Sequence, residues 1–266
     1  MPKSSSKNRT IKTKHRAVAT VEDEADGAIS IPVTWIYGIV GLFLLPVCYV
    51  TLRTFIISFH RVTSEAGFLG SAPVWFFGIG FFVWMMAFYL LPRPTRVYVF
   101  GHEFTHALFA VLSGGRIEEF SVTRDGGHVV TDRNNIWIAL SPYFVPIYSV
   151  FALLIYGVAG VFVDVSAYHE GVWFWGGAGF SWSWVLYATV GLTWAFHLTF
   201  TAWMIGKNQP DLQLNGTFFS LVLIVLINVL VLAVLLVVAE PRLALGDFLR
   251  EWLRQFGEMM LWIRRD

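Results

Sequence analysis

Runs of about twenty apolar residues recur along this chain, and no other feature limits its fold as much. A helix of that length spans the hydrocarbon core of a bilayer. Six such segments lie near 32–52, 73–91, 96–112, 136–163, 182–205 and 217–239. In lipid every backbone N–H and C=O must find a partner within the protein, which an α-helix provides along its own length. The expected fold is therefore all-α: a polytopic membrane helix bundle with about six transmembrane segments. Composition agrees. Charged residues make up 14% of the chain and apolar residues 56%, whereas a soluble domain carries roughly 25% charged residues. The twelve Trp cluster near the ends of the apolar runs, as in interfacial belts. The lipid bilayer is thus the first partner, and a net charge of +1 provides no field to attract nucleic acid.

The single cysteine, Cys48, lies inside an apolar run. It excludes an internal disulfide and any zinc site built on several thiolates, and it reads as a packing residue. Residues 1–30 are polar, first basic and then acidic (Glu22 to Asp26), which predicts a disordered cytoplasmic tail and not a signal peptide. Residues 31–95 hold two accessory transmembrane segments, and 96–240 form the core. If all six segments cross and the N-terminus is inside, thirteen Lys and Arg fall inside and six outside. That bias predicts both termini in the cytoplasm. The compact chain, without added domains, suggests a bacterial cytoplasmic membrane.

Two stretches differ from the bundle. Within residues 115–134, Ile117 to Thr123 and His128 to Thr131 read as strands joined by Asp125-Gly126-Gly127, a turn suited to a small β-hairpin insertion. In residues 241–266, Leu245, Phe248, Leu249, Trp252, Phe256, Met259, Met260 and Ile263 recur at helical spacing opposite Arg250, Glu251, Arg254, Gln255 and Glu258. This predicts a C-terminal amphipathic helix lying in the membrane interface. No internal repeat supports an inverted-repeat transporter.

The chemistry is carried by His102-Glu103-Phe104-Thr105-His106. Histidines at i and i+4 share one helix face, so both imidazoles can reach one ion. The glutamate after the first His can act on a water at that ion, the arrangement of zinc hydrolases. The setting adds weight, because each ionisable group at a membrane helix centre costs about 2.5–3.5 kcal/mol. A bound Zn2+ explains three together. A catalytic zinc takes three protein ligands and keeps one position open. Asp211, His197, Asp164, Glu240, His128 and His169 are the candidates for the third. Asp164, His169 and Glu240 sit at segment ends and His128 in the hairpin. His197 lies inside the fifth segment, where a core histidine bonded to a neighbouring helix is the plain alternative. Asp211 follows a Pro-broken stretch, Asn208-Gln209-Pro210-Asp211, that can turn a carboxylate back to the bundle.

These features resemble the site-2-protease class of intramembrane zinc metallopeptidases over roughly residues 96–235. The resemblance rests on His102-Glu103-Phe104-Thr105-His106 in a membrane segment, the Gly114-Gly115-Arg116 turn after it, and an Asp near the start of a late segment. It implies that His102, His106 and Asp211 hold zinc and that Glu103 is the catalytic base. It implies a membrane-embedded or membrane-tethered protein as substrate, with the hairpin offering it an edge strand. Where the family usually has Asp-Gly, this chain has Asp211-Leu212, with Asn215-Gly216 further on. Asn228, midway in the last segment, can bind substrate backbone or another helix. Ser141-Pro142-Tyr143 interrupts the fourth segment and reads as a Pro kink. The rival reading is a membrane metal-binding or transport protein without hydrolysis. Against it, polar groups concentrate on one segment, and Glu103 at that offset has little use in a mere metal binder.

Overall fold

A computed structural model describes residues 33–64, 67–123, 126–169, 179–207, 209–240 and 243–264. The expected tail at 1–30 lies outside them. Four long helices carry the fold: α1 (Val33–Ser64), α2 (Ala72–Leu90), α6 (Trp182–Ile205) and α8 (Thr217–Ala239). All four are long and apolar enough to cross a membrane. Between α2 and α6 lie α3 (Thr95–Leu112), the hairpin strands β1 (Ile117–Val122) and β2 (Gly127–Thr131), α4 (Ile136–Leu140) and α5 (Ile147–Phe162). Two short strands, β3 (Tyr168–His169) and β4 (Phe180–Ser181), pair ahead of α6. The short α7 (Pro210–Leu214) precedes α8, and α9 (Leu245–Ile263) follows it.

The surface is the inverse of a soluble protein's. Phe43 and Leu90 are 74% exposed and Phe162 is 81% exposed, while Thr51, Thr54, Ser58 and Ser220 are buried. Apolar groups outside and small polar groups between helices are what a hydrocarbon solvent selects.

The expected six crossings are not confirmed: among the described residues four helices are long and apolar enough to cross, or five if a bent pair is one span. The helix α3 has 18 residues but carries Arg96, His102, Glu103, Thr105 and His106, and it is not among the helices apolar enough to cross on composition. The fourth segment is broken. After α4 a single 3-10 turn, Ser141–Tyr143, redirects the chain, and the two halves differ in direction by 81°. The cause is local. Pro142 and Pro146 remove two amide hydrogens and restrict the residues before them, so the expected kink becomes a near-right-angle bend. The first segment is also longer than read. Its helix runs on to Ser64 for 32 residues, about 48 Å at 1.5 Å per residue.

Contacts along the helices set their directions. Gly41 meets Phe219, Cys48 meets Val222 and Leu226, and Val62 meets Leu236, so α1 and α8 run parallel. Phe76 stacks on Trp184, Trp84 meets Phe196 at a tilt and Phe88 meets Phe200 edge-on, so α2 and α6 also run parallel. This second pair is seated by glycine. A Cβ on Gly80 would overlap the Ala188 carbonyl oxygen, and one on Gly191 the Phe77 carbonyl oxygen. Gly101 meets Tyr148 and Phe104 meets Phe151, so α3 and α5 run in the same direction. Tyr148 meets Phe196 while Ser149 bonds Thr193, so α5 runs against α6.

The hairpin forms as expected, with Glu119 opposite Val130, Phe120 opposite Val129 and Val122 opposite Gly127. Asp125 of its turn lies outside the described residues. The two strands fold back over α3, where Phe120 meets Phe100 edge-on. The amphipathic helix α9 also forms, but its polar face is not turned wholly to water. Glu251 and Gln255 are buried. Trp252 donates to Thr51 of α1, and Arg53 and Arg61 of α1 pair with Glu258 and Glu251. Leu249, Leu253 and Trp262 are left exposed. The Arg254 guanidinium bonded to Glu251 holds that carboxyl below the ordinary glutamate range.

Candidate metal centre

Two apolar clusters fix the elements that carry the site. Trp84, Phe88, Phe196 and Phe200 of the α2–α6 seam pack against Tyr98 and so anchor α3 to it. Leu140, Tyr143, Phe144, Leu212 and Ile224 join the broken segment to α7 and α8. Pro210 starts α7 at a position where no amide is needed. Leu212, 2% exposed, pins α7 down. Ser220 donates to the Leu212 carbonyl, and Gly216 takes φ +84° to make the turn into α8. Asp211 is thereby aimed at α3.

The histidine Nε2 atoms of His102 and His106 lie 3.2 Å apart. The Asp211 Oδ2 atom is 3.4 Å from the first and 3.5 Å from the second. A tetrahedral zinc with ligands at 2.0–2.1 Å requires donors about 3.3 Å apart. The three donors therefore fit one such ion in both chemistry and spacing. They are also the one group of three metal-capable side chains among the described residues.

Each donor is held from behind. His106 Nδ1 donates to the Ile138 carbonyl at 2.7 Å. A carbonyl only accepts, so the proton sits on Nδ1, and Nε2 of the neutral ring presents a lone pair. The Tyr98 hydroxyl bonds His102 Nδ1 at 3.0 Å. The Tyr143 hydroxyl donates to Asp211 Oδ2 at 3.1 Å. Such outer partners orient metal ligands and tune their basicity. Sequence reasoning missed all three. Tyr98 was findable, because it lies four residues before His102 on the same helical face. Tyr143 and the Ile138 carbonyl reach the site only through the bend between α4 and α5, which no local spacing encodes.

Glu103 is on the adjacent face of α3 and is 8% exposed. The hairpin covers it. A Cβ on Gly127 would stand 2.5 Å from Glu103 Cγ and 2.9 Å from the Ser121 carbonyl oxygen. Only a glycine lets β2 lie this close.

The other candidates are elsewhere. His128 pairs with Glu119 at 3.0 Å on the exposed hairpin. Asp164 accepts from the Ser166 and Ala167 amides and closes a turn. His169 is exposed in β3, and Glu240 ends α8. His197 is buried on α6 and is not one of the clustered donors. Asn228 donates both amide hydrogens within the fold, to the Tyr143 carbonyl at 3.1 Å and the Ile224 carbonyl at 2.9 Å. It ties the bend to α8. Comparison of the chain with protein-family models, with curated proteins and with solved structures finds no match.

Proposed function

We propose that this chain is an intramembrane zinc metallopeptidase that hydrolyses peptide bonds of membrane-embedded or membrane-tethered proteins. The observation that carries this reading is the His102–His106–Asp211 triangle, at tetrahedral ligand spacing, with a buried glutamate one residue along the same helix. Zinc, when bound, supplies a Lewis acid for the scissile carbonyl and lowers the pKa of water toward neutrality. The chain supplies the rest. Glu103 takes a proton from the attacking water at its carboxylate and delivers it to the leaving amine. Tyr98, Tyr143 and the Ile138 carbonyl keep the donors in register. A metal transporter would need ligands strung along a path. Among the described residues there is one metal-capable group of three.

An intramembrane substrate helix has its backbone hydrogen bonds satisfied internally and must open before it is cut. The hairpin offers a place for the opened segment, because among the described residues β1 and β2 pair only with each other, and Gly127 of β2 lies against Glu103. Proline cannot accept a strand partner. The double substitution Val122→Pro and Val130→Pro should therefore slow cleavage at least about tenfold with zinc content unchanged. Unchanged cleavage would remove the hairpin from the mechanism.

Orientation follows from the helix directions. The parallel pairs α1/α8 and α2/α6, with a reversed segment between them, support an arrangement with the start of α1 and the end of α8 on opposite membrane faces. This departs from the expectation of two cytoplasmic termini, which needed all six segments to cross. The face at the end of α8 carries the hairpin and Arg116, Arg133, Arg250 and Arg254. The other face carries Arg93, Arg96 and Lys207. Positive charge thus favours a cytoplasmic hairpin. In a Cys48→Ser background, a membrane-impermeant maleimide added to intact cells should label Val33→Cys at the start of α1 and not Arg264→Cys. Equal labelling of the two positions would contradict the arrangement.

A further inference from the structure

A small cavity of about 20 Å³ opens beside His102, between α3, α5, α6 and the bend. Its lining includes Tyr98, His102, Thr105, Pro142, Thr193 and His197. Most of its polar atoms are already bonded. Thr105 donates to the Gly101 carbonyl at 2.7 Å. Thr193 bonds the Thr189 carbonyl and Ser149, both at 2.8 Å. His197 is different. It is 8% exposed, and its Nε2 atom is buried without a hydrogen-bond partner. The Asn228 side chain of α8 hydrogen-bonds the ring, and among the described residues Nε2 itself is without a bond. A buried polar atom left this way opposes folding, and such groups persist where a ligand satisfies them.

Resting on the peptidase reading of the site, we infer that His197 and this cavity form a side-chain subsite that selects a small, hydrogen-bonding residue beside the scissile bond. The volume admits about one water-sized group. That is the methyl of Ala or the hydroxymethyl of Ser, and it excludes Leu or Phe. A serine hydroxyl both donates and accepts, so it bonds Nε2 in either tautomer of His197. A subsite with a buried group to satisfy discriminates more sharply for the hydroxyl than an apolar pocket does for a methylene. Serine is therefore preferred over alanine, and alanine over leucine.

The test uses the full chain, purified in detergent with zinc, and a pool of synthetic apolar helical peptides. One position at a time is randomised among Gly, Ala, Ser, Leu and Phe, and cleavage sites are read by mass spectrometry. Wild type is expected to favour Ser over Leu by about tenfold or more at one position next to the cut. His197→Leu should lose the preference for Ser over Ala, cut the Ala peptide within about threefold of wild type, and keep its zinc. His197→Gln, which retains a donor and an acceptor, should keep part of the serine preference. An unchanged profile in both variants would overturn the subsite and leave the peptidase reading intact. So would loss of zinc in both, which would make His197 part of the metal centre. A wild type that cuts no peptide of the pool would overturn the peptidase reading itself, and the subsite with it.

Discussion

Replacing Glu103 with Gln is expected to lower peptide cleavage by about 10²–10⁴-fold, the usual contribution of a positioned general base, while zinc content stays at the wild-type level. The two halves of that expectation have separate causes. Glutamine keeps the volume of the side chain packed under Gly127, so the seat of the hairpin survives. The amide cannot take a proton from water. Zinc should remain because Glu103 is not one of the three clustered donors. The paired measurements are turnover of a membrane-tethered substrate and metal content of the same preparation. A variant that retains most of its turnover would place the base elsewhere. A variant that loses zinc would make Glu103 a ligand.

The second large effect is structural. Gly80→Ala should separate α2 from α6, because the new Cβ would overlap the backbone oxygen of Ala188. A backbone carbonyl inside a helix cannot swing away as a side-chain tip can. Overpacking of this kind costs about 1–3 kcal/mol, sometimes more. The damage should reach the metal centre, since the α2–α6 seam holds Tyr98, and Tyr98 orients His102. Gly78, two residues earlier in the same helix, has no atom within 4 Å of its would-be Cβ. Gly78→Ala should therefore be neutral, or gain about 0.5–1 kcal/mol from helix propensity. Thermal unfolding in detergent distinguishes them. Equal behaviour of the two variants would contradict the packing of this pair.

Much of this architecture was legible in the sequence, for physical reasons. Lipid leaves a backbone few options, so long apolar runs such as Thr217–Ala239 declare themselves as helices. An alternating stretch around a Gly-Gly turn declares a hairpin. The i, i+4 spacing of His102 and His106 put two donors on one face before any coordinates. Less local features were not legible. The size of the bend at Ser141–Tyr143 depends on how Leu140, Tyr143 and Phe144 pack against Leu212 and Ile224, residues far apart in sequence. With the size of the bend unread, the fourth segment was taken as one kinked span, where the fold has two helices at 81° to each other. Tyr143 was read only as part of a kink, although its hydroxyl bonds Asp211. Asn228 shows the same limit. Its position in an apolar run announced a polar role, but only the fold shows that it bonds the Tyr143 carbonyl. The apolar and polar faces of α9 were legible, but amphipathicity does not say which neighbour a face meets. Here Thr51, Thr54 and Ser58 of α1 form a buried polar stripe on the side where Trp252 bonds Thr51.

The central claim is that His102, His106 and Asp211 together hold one metal ion. The most direct measurement is zinc per chain in detergent-purified protein, for wild type, His106→Ala, Asp211→Ala and His197→Ala. About one zinc is expected in wild type and in His197→Ala, with the metal lost from His106→Ala and Asp211→Ala. Wild-type protein without zinc, or zinc indifferent to His106 and Asp211, would contradict the claim.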